Sequence, residues 1–194
     1  MSQLNVNTIK HSSGTGPGID ITSTGNVSID TNTLFIDSVN DRIGVGTVTP
    51  NAALEVSTSG GAIFNSTPLR EKLFVTSNTI NGNSTIDLFQ GNSRFYTNAS
   101  TGNWTLNITA SGTTVSSLIA NNRALVVNVV TRCGGSSGYQ SGFQIDGSNV
   151  TVEWLGGTAP NARGGTSGFD QWQMIILKTG NTSYTVLGSQ NHFE

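Results

Sequence analysis

The sequence predicts an all-β protein, with very short strands in its first third and a β-sandwich or jelly-roll-like domain after them. Gly, Ser, Thr and Asn make up nearly half of the 194 residues, and these residue types disfavour helices through competing hydrogen bonds or backbone entropy. Apolar residues alternate with polar ones over four or five positions, which indicates half-buried strands. Most aromatic residues follow residue 63, so the main hydrophobic core is expected in the second half.

Residues 1–18 are predicted to form an arm and a spacer. The arm contains one weak strand pattern, "LNVNTI" at 4–9, and the spacer reads "HSSGTGPG". Gly- and Ser-rich segments behave as flexible linkers. We therefore expect this part of the chain to act as an anchor rather than as part of a core.

Residues 19–59 are predicted to form an intertwined β stalk. Apolar residues recur in pairs on short alternating stretches, at Val27 and Ile29, Leu34 and Ile36, Ile43 and Val45, and Leu54 and Val56. Burying one aliphatic side chain contributes about 1.5–3 kcal/mol, whereas ordering each residue costs about 1–2 kcal/mol. One copy cannot offset the ordering of this segment, so we predict that three copies share a core and that the stalk is trimeric.

Residues 60–72 are predicted to connect the stalk to a C-terminal head, residues 73–194. The connector contains Gly60-Gly61, Pro68 and the charge run "REK". Apolar stretches in the head, spaced as in sandwiches and barrels, predict strands at 73–80, 84–89, 93–97, 103–109, 124–131, 142–146, 149–155, 171–178 and 183–188. Between two of them, 113–122 is predicted to hold a helical turn or loop.

The segment "DRIGVGTVTP" at 41–50 contains a Gly-x-Gly that also begins nucleotide-binding fingerprints. Such a fingerprint requires a third glycine and a following helix, but Thr49 and Pro50 stand there and a short strand follows. We therefore predict that Gly44, Gly46 and Pro50 are structural. The glycines are expected to permit close approach of neighbouring backbones, as where chains cross near a trimer axis.

Charge and hydropathy exclude several function classes. The net charge is −2 and no basic cluster is present, which argues against nucleic-acid binding. No apolar run reaches 18 residues, so no membrane insertion is expected. The first residues lack the basic and apolar regions of a secretion signal, which predicts a protein that is made in the cytoplasm and leaves it only by lysis.

The sequence offers little catalytic or metal-binding chemistry. His11 lies in the spacer and His192 near the end, and neither is close in sequence to a Ser or Cys motif. The single Cys133 excludes an intrachain disulfide and has no metal-binding partner at a useful spacing. We therefore predict no catalytic residue, no cofactor and no metal ligand, and expect Cys133 to be a buried thiol.

Three carboxylates allow an alternative, a small polysaccharide hydrolase. Such an enzyme needs two carboxyl groups facing each other across a cleft, and Asp146, Glu153 and Asp170 would have to converge to provide them. The competing interpretation is that Asp146-Gly147 forms a tight hairpin turn, as Asp-Gly commonly does. We favour the turn, and with it a protein that is not an enzyme.

The most promising recognition element is the loop 156–170, "GGTAPNARGGTSGFD". Loops on a rigid sandwich often carry recognition, and Asn161, Arg163 and Thr166 offer polar groups there. Trp154, just before the loop, is either a platform for a sugar or a core residue. The loop itself has two further interpretations, a plain connector and a cover over a subunit interface.

Two segments resemble fibre-like proteins of bacteriophages. The stretch "NTLFIDSVNDRIGVGTVTPNAALEV" at 32–56 is similar to a segment found in many tail fibres. Residues 2–22 and 143–193 resemble the beginning and the terminal domain of fibre-like virion proteins of marine, especially cyanobacterial, phages. The resemblance implies a homotrimeric structural virion protein, assembled in the host cytoplasm.

From this resemblance we expect a phage tail fibre that mediates attachment to the host surface. Its N-terminal arm is then expected to dock on other virion proteins, and its head to recognise a host-surface glycan or protein. The same architecture would also suit a head fibre or a capsid-decoration protein. The N-terminal arm would in that case attach the protein to the capsid shell.

Overall fold

The computed structural model describes residues 8–9, 18–29, 33–57, 71–135 and 138–194, with the backbone alone at 8, 9 and 20. The chain divides into two compact units, residues 1–69 and residues 70–194. Strands dominate both units, which confirms the predicted all-β class. Within the described ranges, no helix has the length and apolar character needed to cross a membrane.

Most of the predicted arm and of the connector 60–72 lie outside the described residues, and so do residues 58–59 of the predicted stalk. In the described part of the first unit, six short strands form one sheet in chain order. Neighbouring strands are antiparallel except for the last two, which are parallel. The strands are β1 (Thr8–Ile9), β2 (Ile19–Ile21), β3 (Val27–Ile29), β4 (Leu34–Asp37), β5 (Arg42–Val45) and β6 (Leu54–Val56).

The turn between β4 and β5 is organised by Asp37. Its carboxylate accepts hydrogen bonds from the backbone N–H groups of Val39 and Asn40, both at 3.1 Å, and from the Asn40 side chain at 2.8 Å. The side-chain hydrogen bond from Asn40 is the main cause of a lowered pKa at Asp37. Asp41 then adopts a φ of 54°, a conformation that Asp tolerates better than most residues. The sequence "DSVND" therefore forms this turn through its own side chains.

The two glycines of the Gly-x-Gly segment shape a turn within one chain. A Cβ at Gly44 would lie 2.3 Å from the carbonyl oxygen of Thr47, and Gly46 has a φ of 75°, which favours glycine. Nearby, Arg42 Nη1 donates to the carbonyl of the buried Pro50 at 2.8 Å. Gly44 therefore permits a close approach of the backbone within its own turn. This contact explains the glycine without the expected contact between chains.

The described residues of the second unit form ten strands and three single helical turns, at Leu88–Gln90, α1 (Val115–Leu118) and Leu155–Gly157. Each strand predicted for the head overlaps an observed one, and α1 lies within the predicted range 113–122. The strands are β7 (Leu73–Thr76), β8 (Gly82–Asp87), β9 (Ser93–Ala99), β10 (Trp104–Thr109), β11 (Arg123–Arg132), β12 (Gln140–Ile145), β13 (Ser148–Asn149), β14 (Val152–Trp154), β15 (Phe169–Lys178) and β16 (Tyr184–Phe193).

These strands form a four-stranded sheet of order β13-β12-β10-β8 and a six-stranded sheet of order β14-β16-β15-β11-β9-β7. From β7 to β12 the chain alternates between the two sheets at every strand. β15 is antiparallel to β11 and β16, but from β7 to β12 the strands that neighbour each other in one sheet are parallel, with a strand of the other sheet as the crossover. This differs from a jelly roll, whose neighbouring strands are antiparallel.

The two sheets share one core, so the second unit is a sandwich, as the sequence predicts. Trp104 of the smaller sheet meets Trp172 of the larger one edge to face, with ring centroids 5.4 Å apart. Aliphatic residues at alternate positions of both sheets surround this pair. They include Ile86, Leu106, Ile108, Ile145, Val127, Val129, Ile176 and Val186. Alternation along each strand therefore accounts for which side chains face inward.

The helical turn α1 is held by two side chains that are distant in the sequence, one in the turn after β12 and one at the end of β15. Asp146 Oδ2 accepts from the backbone N–H of Val115 at 2.9 Å. The buried Lys178 donates from Nζ to the carbonyls of Ser116, at 2.5 Å, and Ile119, at 2.8 Å. These contacts satisfy backbone groups that a single helical turn leaves without partners.

Candidate functional site

Asp146 and Gly147 form the tight turn between β12 and β13. Their φ values are 50° and 79°, and Ile145 pairs with Ser148 across the turn. Positive φ at both central residues is the geometry that favours Asp-Gly in two-residue hairpins. Because Asp146 also caps α1, its carboxylate has a structural role.

The loop 156–168 is anchored to the sheet at its second half. Gly164 N donates to Asp170 Oδ2 at 2.8 Å. Gln190 Nε2 donates both to Asp170 Oδ2, at 3.0 Å, and to the carbonyl of Ala162, at 3.3 Å. One buried carboxylate on β15 and one amide on β16 thus fix the base of the loop.

Asp170 also organises a cluster with His192 and Cys133. Asp170 Oδ1 lies 2.8 Å from His192 Nδ1, and Cys133 Sγ lies 3.9 Å from the same nitrogen. On the other side of the ring, His192 Nε2 is 3.5 Å from Glu194 Oε1. Cys133 and His192 are far apart in the sequence, and they meet because β11, β15 and β16 are neighbours in one sheet.

The electrostatics of the cluster keep the thiol protonated at neutral pH. Burial, reinforced by the Asp170 carboxylate, raises the pKa of Cys133 to about 11. The hydrogen bond to Asp170 raises the pKa of His192, with a smaller contribution from Glu194. A nucleophilic cysteine needs a lowered pKa, and the acid of a triad binds the opposite ring nitrogen from the nucleophile. Here both groups face Nδ1, so the arrangement does not support covalent catalysis.

Two glycines let the loop approach this cluster. A Cβ at Gly164 would lie 2.5 Å from both Asp170 Oδ1 and His192 Cβ, and one at Gly165 would lie 2.2 Å from His192 Nε2. Any side chain at either position would therefore displace the imidazole. The Gly-Gly pair in "ARGGTSG" is explained by this close approach.

A groove of about 490 Å³ lies along the outer part of the loop. Three of the predicted recognition residues, Asn161, Arg163 and Thr166, line it together with Tyr139. Asn161 and Thr166 are exposed, but Arg163 is half-buried. Its charge acts on Cys133, where it opposes the rise in pKa. Arg163 is thus less exposed than Asn161 and Thr166.

Comparisons with protein-family models, curated proteins and solved structures find no match to this chain. The functional interpretation of the site therefore depends on its own residues and geometry.

Trp154 lines an adjacent groove of about 400 Å³, which also has Tyr139 on its wall. The ring of Trp154 meets Trp172 edge to face at 6.5 Å, and it packs so closely over Gly188 that a Cβ there would lie 2.9 Å from it. Trp154 is half-buried. The contacts favour packing as its main role, with one part of the ring facing the groove.

Tyr139 is the residue that sequence reasoning missed. It lines both grooves, but it follows a glycine- and serine-rich stretch that has no strand period.

The carboxylates of the hydrolase alternative have separate surroundings. Asp146 caps α1 and Asp170 is buried beside His192. Glu153 is exposed and lines a different groove, of about 470 Å³.

Proposed function

We propose that this chain is the subunit of a homotrimeric virion fibre, of the tail-fibre kind, which trimerises through its first unit and attaches to a host surface through its second. The observation that carries the proposal is a row of exposed aliphatic side chains across the sheet of the first unit. Residues 1–18, proposed to dock on other virion proteins, lie outside the described part except for 8, 9 and 18.

The aliphatic row follows from the strand register. Ile21 pairs with Val27, Val27 with Ile36, Ile36 with Ile43, and Ile43 with Leu54. Directly paired residues point to the same face of a sheet. Four of the five are strongly exposed, with fractions of 44% for Ile21, 38% for Ile36, 41% for Ile43 and 57% for Leu54.

The opposite face of this sheet cannot supply a core of its own. Phe35 is the only large apolar side chain that is buried in the described part of the first unit. Its cross-strand neighbours are Ser28 and Gly44. A contiguous exposed apolar patch usually marks an interaction surface, and identical copies would each contribute the same row. This is the physical support for self-association, and the fibre resemblance of residues 32–56 favours three copies.

Trimerisation is tested with the double variant Ile36→Asp/Ile43→Asp. Two charges in the middle of the row would be desolvated in an assembled stalk. We expect light scattering after gel filtration to give three times the 20.3 kDa chain mass for the parent protein and the single-chain mass for the variant. Leu155→Asp, a change at a side chain of the second unit that is 78% exposed, is the matched control. A monomeric parent at micromolar concentration, or a trimeric double variant, would contradict the proposal.

The attachment surface is proposed to be the groove at loop 156–168. It combines an amide, a hydroxyl, a guanidinium and the aromatic ring of Tyr139, which suit the polar groups and apolar faces of a sugar. Its base is held rigidly through Asp170 and Gln190, so less ordering is needed on binding. Three copies on one fibre would turn weak single contacts into firm attachment.

Attachment is tested with Asn161→Ala/Thr166→Ala, which removes two exposed polar groups from the groove. We expect adsorption of labelled protein to host bacteria to fall at least tenfold, while the melting temperature and the mass stay unchanged. The control, Glu153→Ala/Thr182→Ala, changes a separate groove of similar volume. If the parent and the loop variant adsorb equally, this loop is not the recognition surface.

A further inference from the structure

We propose that Cys133, Asp170 and His192 form a zinc-binding site, independent of the proposed fibre function. Each residue offers one ligand atom, and the three atoms lie within 4.8 Å of one another. Cys133 directly follows β11, Asp170 lies near the start of β15, and His192 lies near the end of β16. An ion there would join three neighbouring strands of the larger sheet at one end.

The ligand types and their separations fit Zn²⁺. Thiolate, imidazole and carboxylate are its usual ligands, at about 2.3 Å for sulfur and about 2.0–2.2 Å for nitrogen and oxygen. Tetrahedral angles at those lengths place ligand atoms about 3.3–3.6 Å apart. Cys133 Sγ and His192 Nδ1 are 3.9 Å apart, and Asp170 Oδ1 and His192 Nδ1 are 2.8 Å apart. For these two pairs, side-chain shifts of about half an ångström would therefore reach the ligand separations of a tetrahedral site.

The groups around the cluster have the arrangement that supports metal ligands. Carboxylate ligands are usually held by hydrogen bonds, and a ligating histidine usually donates its other N–H to a carboxylate or carbonyl. Asp170 Oδ2 accepts from Gly164 N and Gln190 Nε2. His192 Nε2 is buried without a hydrogen-bond partner, and its nearest acidic atom is Glu194 Oε1 at 3.5 Å.

Zinc on Nδ1 would resolve this incomplete pairing. The imidazole proton would then reside on Nε2 and point to Glu194, whose Oε1 already accepts from Ser167 Oγ at 3.1 Å. The ion would replace the thiol proton of Cys133, and that proton is released to solvent. It would also replace the Asp170–His192 hydrogen bond. Because binding displaces a proton, zinc affinity is expected to rise with pH.

The test uses the full chain, stripped with a chelator, dialysed and loaded with Zn²⁺ alone. After gel filtration, elemental analysis is expected to find one zinc per chain, and the melting temperature of the second unit is expected to rise. With Co²⁺ in place of zinc, a thiolate-to-cobalt charge-transfer band is expected in the near ultraviolet. If the folded parent protein retains no zinc at micromolar concentration, the proposal is overturned, and no variant is needed to reach that conclusion.

Three variants locate the ion. Cys133→Ser is expected to abolish the charge-transfer band and to weaken zinc binding at least tenfold, and Cys133→Ala serves if the serine variant does not fold. Glu194→Gln, beside the outer ring nitrogen, is expected to weaken binding by about tenfold. His11→Ala, at the only other histidine, is the control and should retain one zinc. One zinc bound with parental affinity by a folded cysteine variant would place the metal elsewhere and reject this site.

Discussion

Replacing Trp172 by alanine is expected to lower the free energy of unfolding of the second unit by about 3–5 kcal/mol. Trp172 has no exposed surface and meets Trp104 and Trp154 edge to face. Its Nε1 donates to Thr131 Oγ1 at 3.3 Å. The variant therefore loses buried area, leaves a cavity between the two sheets, and removes a buried hydrogen bond in the same step.

Urea denaturation followed by far-ultraviolet circular dichroism measures this change through the shift of the unfolding transition of the second unit. Leu155→Ala is the control, because its side chain is 78% exposed and its loss should change the free energy of unfolding by less than about 0.5 kcal/mol. If Trp172→Ala lowers the free energy of unfolding by less than about 1 kcal/mol, the two sheets have closed over the cavity. The spacing of the sheets would then not depend on Trp172.

Replacing Gly44 by valine is expected to abolish the ordered structure of the first unit while leaving the second unit intact. A Cβ there would lie 2.3 Å from the Thr47 carbonyl oxygen and 3.1 Å from Thr47 Cγ2. Overpacking in a well-filled site costs about 1–3 kcal/mol, and here the nearest atom belongs to the backbone. A sheet with little buried apolar surface cannot absorb that cost, so the proposed trimer should be lost as well.

Hydrogen exchange resolves the effect by region. Peptides from 19–57 should exchange at rates close to those of an unfolded chain in Gly44→Val, whereas peptides covering β11 and β15 should keep parental protection. Gly102→Val is the matched control, since a Cβ at Gly102 would have open space around it. Parental protection in 19–57 together with the loss of trimers would favour the alternative, in which Gly44 lies against another chain.

The alternation of apolar and polar residues located the strands well, but not their ends. The last two strands were predicted at 171–178 and 183–188, and they span Phe169–Lys178 and Tyr184–Phe193. The extension of β16 through "GSQNHF" contains mostly small and polar residues, which have no strand period of their own. These residues are extended because each pairs with a partner on β15, such as Asn191 with Gln171.

The candidate site was only partly predictable. Asn161, Arg163 and Thr166 stand close together in the sequence, so their common groove follows from a single loop. Cys133 and His192 are 59 residues apart and carry no motif, so nothing in the sequence connects them. They meet because β11, β15 and β16 are adjacent, and that adjacency depends on the order of strands in the sheet.

By itself, the sequence determined the all-β class, the positions of the strands and the Asp146-Gly147 turn, because these depend on residues that are close in the chain. Tertiary structure alone decided the parallel neighbours in both sheets and the cluster of Cys133, Asp170 and His192. Each of these depends on which distant segments become neighbours. That choice is made by packing two sheets around one core, where the free energy of burial is summed over the whole unit rather than over any local pattern.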